Sequence, residues 1–480
     1  MERIKYTIIV WNRELIGLVS KCSVLIDREE RSTDLPKNDE LSQPQIVGLL
    51  KYLGIQKAHF AARLSTDCKT LVENCPESMG SLMMLCPRPS DFRSVATAAA
   101  KLESRLMLIA GDHGPEVEAV RTNMESLPHA QLITLSDYSP GNDTDIVAER
   151  GQEIGDNMLE FLRQRDLDQQ IENISLDETE GNWNDLLYKI RGKGTPLVLL
   201  PLFYSPSQWD YLVDRLSQNH CTITISGAKV GAVFNLETRA LGGYLNAVEK
   251  LIIETDILPG ERVLDIGCGP GSLDRWLAGY TNRDNVIVGT DPSTYFLREA
   301  EALVKNDGLE DVINFEECAG DSLPFPDDSF DVAVSFTAIQ YPDADKMLSE
   351  MRRVIRPGGR VGVLARADDR PNLINVPLRE EVKSRIEAQR PQRHNELGCN
   401  EASLYRRFHQ SGLVHVKMFP QLAIFTPQSD GARVGDLGDS FNSILGNQEL
   451  SEFRDALEVA LKDGSFFVAE WFHCAVGTNP

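Results

Sequence analysis

Short apolar runs alternate with amphipathic segments along the chain, and their spacing predicts strand-then-helix units. In the first third, the predicted strands are nearly all apolar, as expected for a sheet covered on both faces. Helical periodicity fills the intervals at Gln43–Leu53, Glu116–Leu127 and Ala148–Leu162. This alternation predicts an α/β fold with parallel sheets. The predicted strands of this region are Tyr6–Trp11, Ser23–Asp27, Ala58–Ala62, Ser81–Cys86, Arg105–Ala110 and Gln131–Leu135.

The pattern changes twice after the first third and divides the chain. Residues 166–194 are the most polar and acidic stretch, which predicts a linker between domains. Residues 195–235 show a strand–helix–strand pattern, which predicts either a connector or further strands of the first sheet. A second strand–helix series fills 236–480. The expected organisation is one α/β domain at 1–165 and another at 236–480.

Composition narrows the classes of function. The 480 residues suggest two or three domains, and 49 basic against 72 acidic residues give a formal net charge of −23. This balance opposes a nucleic-acid partner, because phosphates favour a basic face. No apolar run reaches the ~18 residues of a membrane span, the N-terminal apolar run is too short for a secretion signal, and the nine cysteines lack metal-binding spacing. We therefore expect a cytoplasmic protein with reduced thiols, no metal, and no nucleic-acid or membrane partner.

A glycine-rich loop between a predicted strand and a predicted helix carries the clearest chemistry. The strand Arg262–Ile266 runs into the loop DIGCGPG, and a helix begins near Ser272. Glycines let a ligand approach the main chain closely, and a helix N-terminus offers free N–H groups. The acidic residue before the first glycine suits a ligand with an ammonium group better than a pyrophosphate, although dinucleotide binding stays the alternative. The next strand ends in Asp291, where a carboxylate can accept both hydroxyls of a ribose.

Four segments within residues 243–370 carry a family resemblance: VLDIGCGPG, GTDPS, LPFPDDSFDV and MRRVIRPGGR. In this order and spacing they resemble class I S-adenosylmethionine-dependent methyltransferases of the ubiquinone/menaquinone group. The resemblance implies a Rossmann-like sheet with S-adenosyl-L-methionine as cofactor. The cofactor-binding residues that it implies are Asp265, Gly267, Cys268, Gly269, Gly271, Asp291, Pro292, Ser293, Ala319, Gly320, Asp321, Phe336 and Thr337.

The resemblance leaves some roles open. The usual adenine-contacting aspartate falls on Ala319, so either the loop is shifted and Asp321 serves, or the backbone makes this contact. Arg239, in the helix ahead of the first motif, is a candidate for binding the cofactor carboxylate. Tyr341, just beyond the fourth strand of this half, is a catalytic candidate because relatives place an acceptor-facing residue there, and its neighbour Gln340 is a second candidate. Further candidates on the acceptor side are Arg366, His394 and His409.

The first third contains two longer segments, QIVGLLKYLGIQKAHFAARLSTDCKTLVENCPESMGSLMMLCPRPS and RLMLIAGDHGPEVEAVRTNMESLPHAQLITLS. They resemble the core of an α/β-hydrolase. In that register Leu64 occupies the nucleophile position, and the base and its orienting acid are missing. The resemblance therefore implies a degenerate, non-catalytic scaffold. Residues 195–225 resemble the first strand–helix–strand of the same fold, either as a duplicate or as an addition to the first sheet.

Taken together, these patterns predict a methyltransferase for a small-molecule acceptor, typical of specialised metabolism, behind a degenerate hydrolase-like domain. One alternative uses the same cofactor for a non-methylating step such as cyclisation. The other is a non-catalytic assembly partner. A homo-oligomer is compatible with all three hypotheses. Stoichiometric S-adenosylhomocysteine would distinguish methyl transfer from the first alternative.

Overall fold

The computed structural model describes residues 45–63, 71–87, 99–114, 127–140, 145–169, 171–388, 395–427 and 444–480, together with residues 117, 120, 121, 124, 125 and 441. The predicted strands Tyr6–Trp11 and Ser23–Asp27, as well as Leu64 and His394, lie outside the described residues. The described part contains two eight-stranded sheets, each flanked by helices. This arrangement confirms the α/β class.

The first eight strands make one sheet, which we call the front sheet. Its strand order is β4-β3-β2-β1-β7-β8-β6-β5. Neighbouring strands are parallel from β4 to β8, whereas β6 and β5 run antiparallel to their neighbours. The strands are β1 Ala58–Ala62, β2 Met79–Leu85, β3 Leu106–Gly111, β4 Gln131–Leu135, β5 Thr179–Trp183, β6 Leu186–Arg191, β7 Thr195–Leu199 and β8 His220–Ser226.

Helices cover both faces of the front sheet, which explains why its central strands are apolar throughout. Every residue of β1, β2 and β3 is buried. On one face lie α2, Ile146–Gln169, and α3, Asp210–Leu216, whose apolar side chains pack into one core. On the other face lies α1, Gln45–Tyr52, with a second core. Burial on two faces removes the polar–apolar alternation of a one-sided sheet.

The acidic stretch at 166–194 is not a linker, which corrects the sequence-based expectation. Helix α2 extends into it as far as Gln169, and β5 and β6 then form a hairpin that pairs with β8. As the edge strand, β5 exposes most of its side chains, so its polar composition resembles that of a loop. Residues 195–226 supply β7 and β8, and β7 pairs with β1. These two strands are therefore part of the same sheet as β1.

The second sheet has the strand order β11-β10-β9-β12-β13-β16-β14, and β15 pairs with β16. Its first five strands in space are parallel, and β14, β15 and β16 add antiparallel pairs. The order reverses between β9 and β12, and in open α/β sheets this switch point is where ligands bind. The strands are β9 Arg262–Ile266, β10 Val286–Asp291, β11 Ile313–Glu317, β12 Phe330–Phe336, β13 Ile355–Arg366, β14 Leu373–Ile374, β15 Val414–Phe425 and β16 Val468–Thr478.

Eight described helices accompany the second sheet. They are α4 Gly231–Glu237, α5 Gly242–Thr255, α6 Ser272–Tyr280, α7 Thr294–Asn306, α8 Ala344–Val354, α9 Glu380–Glu387, α10 Ser403–Gln410 and α11 Asn447–Lys462. Helix α7 also touches the front sheet's connections: Tyr295 hydrogen-bonds to the Asp145 carboxylate, and Asn182 Nδ2 donates to Asn306 Oδ1 at 2.5 Å. In the described part of the chain, no helix combines the length and apolar character needed to cross a membrane.

Candidate active site

A cavity of about 680 Å³ opens at the carboxyl ends of β9, β10, β11 and β12. This volume lies within the range of small-molecule sites. Most of the cofactor-binding residues expected from sequence line this cavity, and they come from the ends of four separate strands. They are Gly267, Gly269, Asp291, Pro292, Ser293, Ala319, Gly320, Asp321, Phe336, Thr337 and Arg239.

The glycine loop after β9 turns tightly because its glycines adopt left-handed backbone angles. Gly267 has φ 82°, Gly269 has φ 57° and Gly271 has φ 71°. A Cβ atom on Gly267 would lie 2.2 Å from Cβ of Ala338, so this position also requires glycine for space. The amides of Gly267 and Cys268 both donate to the Thr290 carbonyl, at 2.7 and 2.9 Å. These bonds hold the loop against the end of β10.

The carboxylate of Asp291 ties the first two loops together. Its Oδ2 accepts from the amide of Gly269 at 3.0 Å, and its Oδ1 accepts from the amide of Ser293 at 2.9 Å. Burial raises the pKa of Asp291 above its ordinary value, although both amides favour the charged form. Ser293 then caps α7 by accepting from the amide of Phe296 at 3.3 Å. Asp291 is therefore fixed in orientation at the cavity edge.

Asp265, Cys268 and Gly271 belong to the segment DIGCGPG but do not line the cavity. Asp265 is 2% exposed and neighbours Asp274, which is 1% exposed. No donor among the described residues reaches Asp265 Oδ1 or either carboxyl oxygen of Asp274. Burial and mutual repulsion raise the pKa of Asp265 well above its usual range, and burial also raises that of Asp274. Burial, which disfavours the charged form, is the main cause at both carboxyl groups.

The two buried carboxyl groups also affect the ionisation of the Cys268 thiol. Burial and the neighbouring carboxyl groups of Asp274 and Asp265 raise the pKa of this thiol well above its ordinary value. A nucleophilic cysteine needs a lowered pKa, as positively charged surroundings provide. The surroundings of Cys268, which is itself part of the loop, therefore do not favour a nucleophilic role.

The helical segment before β9 forms the roof of the cavity. Leu236 and Arg239 line it, and Glu237 binds both Ser272 Oγ and the guanidinium of Arg275 on α6. Nη1 of Arg239 donates to Thr337 Oγ1 at 3.4 Å. The roof is thus connected to α6 and to the end of β12.

The third loop carries Asp321 at the cavity wall, beside Ala319. Oδ2 of Asp321 accepts from the amide of Asp343 at 3.3 Å, immediately before α8. Asp321 thus faces the same space as Ala319, and its adenine contact stays a prediction.

The two catalytic candidates are placed differently. Tyr341 lines the cavity and is 55% exposed, so its ring borders the opening. Gln340 is only 3% exposed and does not line the cavity, because its side chain turns into the interior. The structure therefore argues against direct contact between Gln340 and an acceptor. Arg366, paired with Glu470 at 3.4 Å, and His409 on α10 do not line the cavity either.

Four residues of this region were missed from sequence. Phe203 and Tyr204, in the loop after β7, line the cavity, although no motif marks them. Tyr244 on α5 lies 3.0 Å from Thr337 Oγ1 through its hydroxyl. Asp274 occupies the first turn of α6, where an acidic residue resembles an ordinary exposed helix-start residue. Among the described residues, no group of His, Cys, Asp and Glu is arranged to hold a metal ion.

Comparison with known proteins shows which protein family the residues around this site resemble. Residues 263–359 match a family described as a methyltransferase domain, a range that runs from the glycine-loop strand to β13. This stretch is similar to methyltransferases, among them relatives of the S-adenosylmethionine-dependent class. The resemblance to that class is thereby confirmed, whereas the hydrolase-like part of the expectation is not.

Curated relatives match the methyltransferase domain and little else of the chain. Methyltransferase GfsG of Streptomyces halstedii is 39% identical over 116 residues, which are 24% of this chain and 41% of the relative. Methyltransferase phqN of Penicillium fellutanum is 35% identical over 133 residues, or 28% of this chain and 40% of the relative. A ubiquinone/menaquinone biosynthesis C-methyltransferase of Vibrio parahaemolyticus is 30% identical over 161 residues, which are 33% of this chain and 59% of the relative. The chain thus spans between 40% and 59% of the length of these relatives.

A solved structure overlaps the same half. The geranyl diphosphate C-methyltransferase of Streptomyces coelicolor A3(2), in complex with Mg²⁺, geranyl diphosphate and S-adenosyl-L-homocysteine, is 16% identical with a TM-score of 0.30. The match covers 49% of this chain and 79% of that one. An overlap of this quality carries no conclusion about the acceptor of this chain.

The residues around the cavity fit S-adenosylmethionine, the cofactor of the domain. Left-handed glycines expose backbone beside Asp291, and buried carboxyl oxygens of Asp265 and Asp274 lie unpartnered beneath the loop. Negative charge below the loop suits a ligand with ammonium and sulfonium groups. The apolar walls at Leu236, Phe336 and the third loop suit a nucleoside and a thioether chain.

Proposed function

We propose that the whole chain is an S-adenosylmethionine-dependent methyltransferase for a small-molecule acceptor of specialised metabolism. The observation that carries this proposal is the cavity at the switch point of the second sheet, with Asp291 fixed at its edge. The relatives named GfsG and phqN, both methyltransferases, support the reaction type. The net charge of −23 supports a small acceptor over a nucleic acid.

In this proposal, different residues of the cavity bind different parts of the cofactor. The backbone at Gly267 and Gly269, over the Asp265 carboxyl, holds the methionine part. Asp291 takes the ribose hydroxyls, and Pro292, Ser293 and the stretch Ala319–Asp321 border the adenine. Arg239 in the roof binds the carboxylate of the cofactor. Cys268 and Gly271 contribute by shaping the loop from behind rather than by contact.

The bound cofactor supplies an electrophilic methyl group on a positively charged sulfur. The protein's task is then to align an acceptor in line with that group and to exclude water, and alignment alone supplies much of the rate. Phe336 and Thr337, at the end of β12, form the floor below the transferred group. Tyr341 borders the opening, where its hydroxyl positions the acceptor or takes up a proton from it. Gln340 supports this loop from the interior.

The front sheet belongs to the proposal as a degenerate hydrolase-like scaffold. The unit β7–α3–β8, which resembles the opening of a hydrolase, lies directly beside β1, whose segment resembles the hydrolase core. In the chain, these two parts follow each other in permuted order. We assign the front sheet to residues 45–226 and the methyltransferase unit to residues 231–480, in place of a division at a linker.

Calorimetric titration with S-adenosylmethionine and S-adenosylhomocysteine tests the proposal. Wild-type protein should bind both ligands at micromolar concentration. Asp291→Asn should weaken binding by about 1–3 kcal/mol, because the ribose hydroxyls lose a charged partner. Asn keeps an oxygen that can accept from the Gly269 amide, so the loop should stay folded. An Asp284→Asn variant, at an exposed position after α6, serves as the matched control.

Methyl transfer itself is tested with candidate small molecules and cofactor carrying a labelled methyl group. Label in the product, together with one S-adenosylhomocysteine per product, supports methyl transfer. Product without either sign would instead indicate a non-methylating use of the cofactor. Absence of cofactor binding in well-folded wild-type protein would overturn the proposed function and leave the assembly role.

A further inference from the structure

Part of the cavity wall comes from outside the methyltransferase domain. The loop after β7 places Phe203 and Tyr204 against the cavity, next to Phe296 at the start of α7. Both residues are half-buried, so part of each ring stays accessible. The matched methyltransferase domain begins at residue 263, about sixty residues later in the chain. The front sheet therefore borders the space assigned to the cofactor.

The rings of this wall hold one another in fixed orientations. Tyr204 stacks on Tyr295 with centroids 6.2 Å apart and an interplanar angle of 13°. It also meets Phe296 edge-on at 5.2 Å, and Phe203 meets Tyr204 edge-on at 4.9 Å. Offset-stacked and edge-on pairs are the favoured geometries of aromatic rings. Since Tyr295 and Phe296 come two and three residues after Ser293, this cluster lies at the Asp291–Ser293 side of the cavity.

The loop that carries the wall is already ordered by a buried side chain. Oε1 of Gln208 accepts from the amides of Phe203 and Tyr204, at 3.0 and 2.9 Å, and Gln208 is fully buried. Nε1 of Trp209 donates to the Leu200 carbonyl at 2.7 Å. A ligand that meets this loop loses little free energy in ordering it.

Helix α7 connects the loop that carries Phe203 and Tyr204 to the Asp291–Ser293 segment. Its first turn follows the Asp291–Ser293 segment, and the Tyr295 hydroxyl binds the Asp145 carboxylate at the front sheet. One turn further, Arg298 pairs with Asp210 at 3.4 Å. The carboxyl group of Glu299 faces the amide of Gly227, just after β8, which favours its charged form. These contacts fix the position of the front-sheet loop relative to Asp291.

We propose that Tyr204, supported by Phe203, forms the wall beside the nucleoside end of the cofactor, so that the front sheet completes the cofactor site of the methyltransferase domain. This inference rests on the proposed function. An aromatic wall recognises the flat face of a purine base, while Asp291 next to it takes the ribose. The front sheet, which is proposed to lack catalytic residues of its own, thereby contributes to cofactor binding.

Titration of the full chain with two ligands tests this inference: S-adenosylhomocysteine, and 5′-methylthioadenosine, which lacks the amino-acid part. Tyr204→Ala should weaken binding of both ligands roughly tenfold, the usual effect of removing one ring that stacks on a base. Tyr204→Phe keeps the ring and should bind nearly as wild type. Tyr204→Leu fills the space without a ring and should resemble Tyr204→Ala, which excludes a collapse of the loop as the cause.

Tyr52→Ala is the matched control, because Tyr52 is a 62% exposed tyrosine on α1 that does not line the cavity. This variant should bind both ligands as wild type does. Wild-type affinity in Tyr204→Ala and Tyr204→Leu, or a loss confined to S-adenosylhomocysteine, would overturn the inference while leaving the proposed function intact. A wild type that binds neither ligand would overturn the proposed function, and this inference with it.

Discussion

The hydroxyl oxygen of Tyr244 lies 3.0 Å from Oγ1 of Thr337, joining α5 to the end of β12 at the cavity. Thr337 has φ 55°, a left-handed conformation that is strained for a β-branched residue. Such strain costs on the order of 1–3 kcal/mol and persists where the surroundings enforce it. The amide of Thr337 donates to the Leu364 carbonyl at 2.7 Å, which adds a second restraint. Tyr244 and β13 together hold Thr337 in a conformation that points to a functional role.

A double-mutant cycle should detect this contact. Tyr244→Phe should lower the free energy of unfolding by about 1 kcal/mol, because one buried hydrogen bond is lost while the edge-on contact with Phe472 remains. Thr337→Val should show a similar loss, and the double variant should lose less than the sum by at least about 0.5 kcal/mol. Urea unfolding measures all four proteins. Additive losses would contradict a bond between the two hydroxyl groups.

The Asp265–Asp274 pair should make stability depend on pH. Burial raises the pKa of Asp274 to about 7, above its value in the unfolded chain. The folded state therefore holds a proton that the unfolded state releases, and stability is lost as pH rises through about 7. Asp274→Asn cannot ionise, so it should raise the melting temperature at pH 8 by several degrees and have little effect at pH 5. The exposed Asp284→Asn should change neither value. An equal gain at both pH values would contradict a shared proton.

A second polar cluster in the front sheet resembles a catalytic triad by residue type only. Oγ of Ser81 lies 2.7 Å from Nδ1 of His59, and Nε2 of His59 lies 3.0 Å from Oδ1 of Asp166. Nε2 of His220 approaches the other carboxylate oxygen of Asp166 at 3.4 Å. Ser81 and His59 are both fully buried within the sheet, so a substrate cannot reach them. The cluster therefore satisfies buried polar groups rather than performing hydrolysis.

This buried cluster should weaken the fold in acid. Burial lowers the pKa of His59 despite the neighbouring Asp166, so protonation of His59 disfavours the folded state as pH falls below about 6.5. His59→Gln keeps hydrogen-bonding capacity without a titrating group. Its melting temperature should fall less than that of wild type between pH 7 and pH 5. His113→Gln, at an exposed histidine beside Asp112, should follow wild type. A parallel decrease in His59→Gln would contradict this role of His59.

Sequence patterns correctly predicted the strands and turns that are determined by neighbouring residues. The bounds of β1, β4 and β9 follow from apolar runs and turn residues, and the glycine loop follows from the need for left-handed angles. The hairpin β5–β6 was missed because its strand character depends on pairing with β8, about 35 residues away. Likewise, Tyr204 has no local signal, since its role depends on rings about 90 residues later. Distant pairing is set by tertiary contacts rather than by the spacing of neighbours.

The order of the loop after β7 gives the last prediction. Gln208→Met keeps the length of the side chain but removes the oxygen that accepts from the amides of Phe203 and Tyr204. Stranding partly buried amides costs about 1–3 kcal/mol each, so the melting temperature should fall. Binding of S-adenosylhomocysteine should also weaken severalfold at a temperature well below unfolding, because the aromatic wall is no longer fixed before the ligand arrives.

The matched control is Gln152→Met, at an exposed position on α2 that does not line the cavity. It should change neither the melting temperature nor the affinity. A double variant with Gln208→Met and Tyr204→Ala should lose less binding free energy than the sum of the two single variants, because both substitutions act through the same ring. If Gln208→Met lowers the melting temperature but binds S-adenosylhomocysteine as wild type does, the order of this loop does not contribute to cofactor binding. A coupled loss would show that the front sheet acts on the cofactor site through the fixed position of Tyr204.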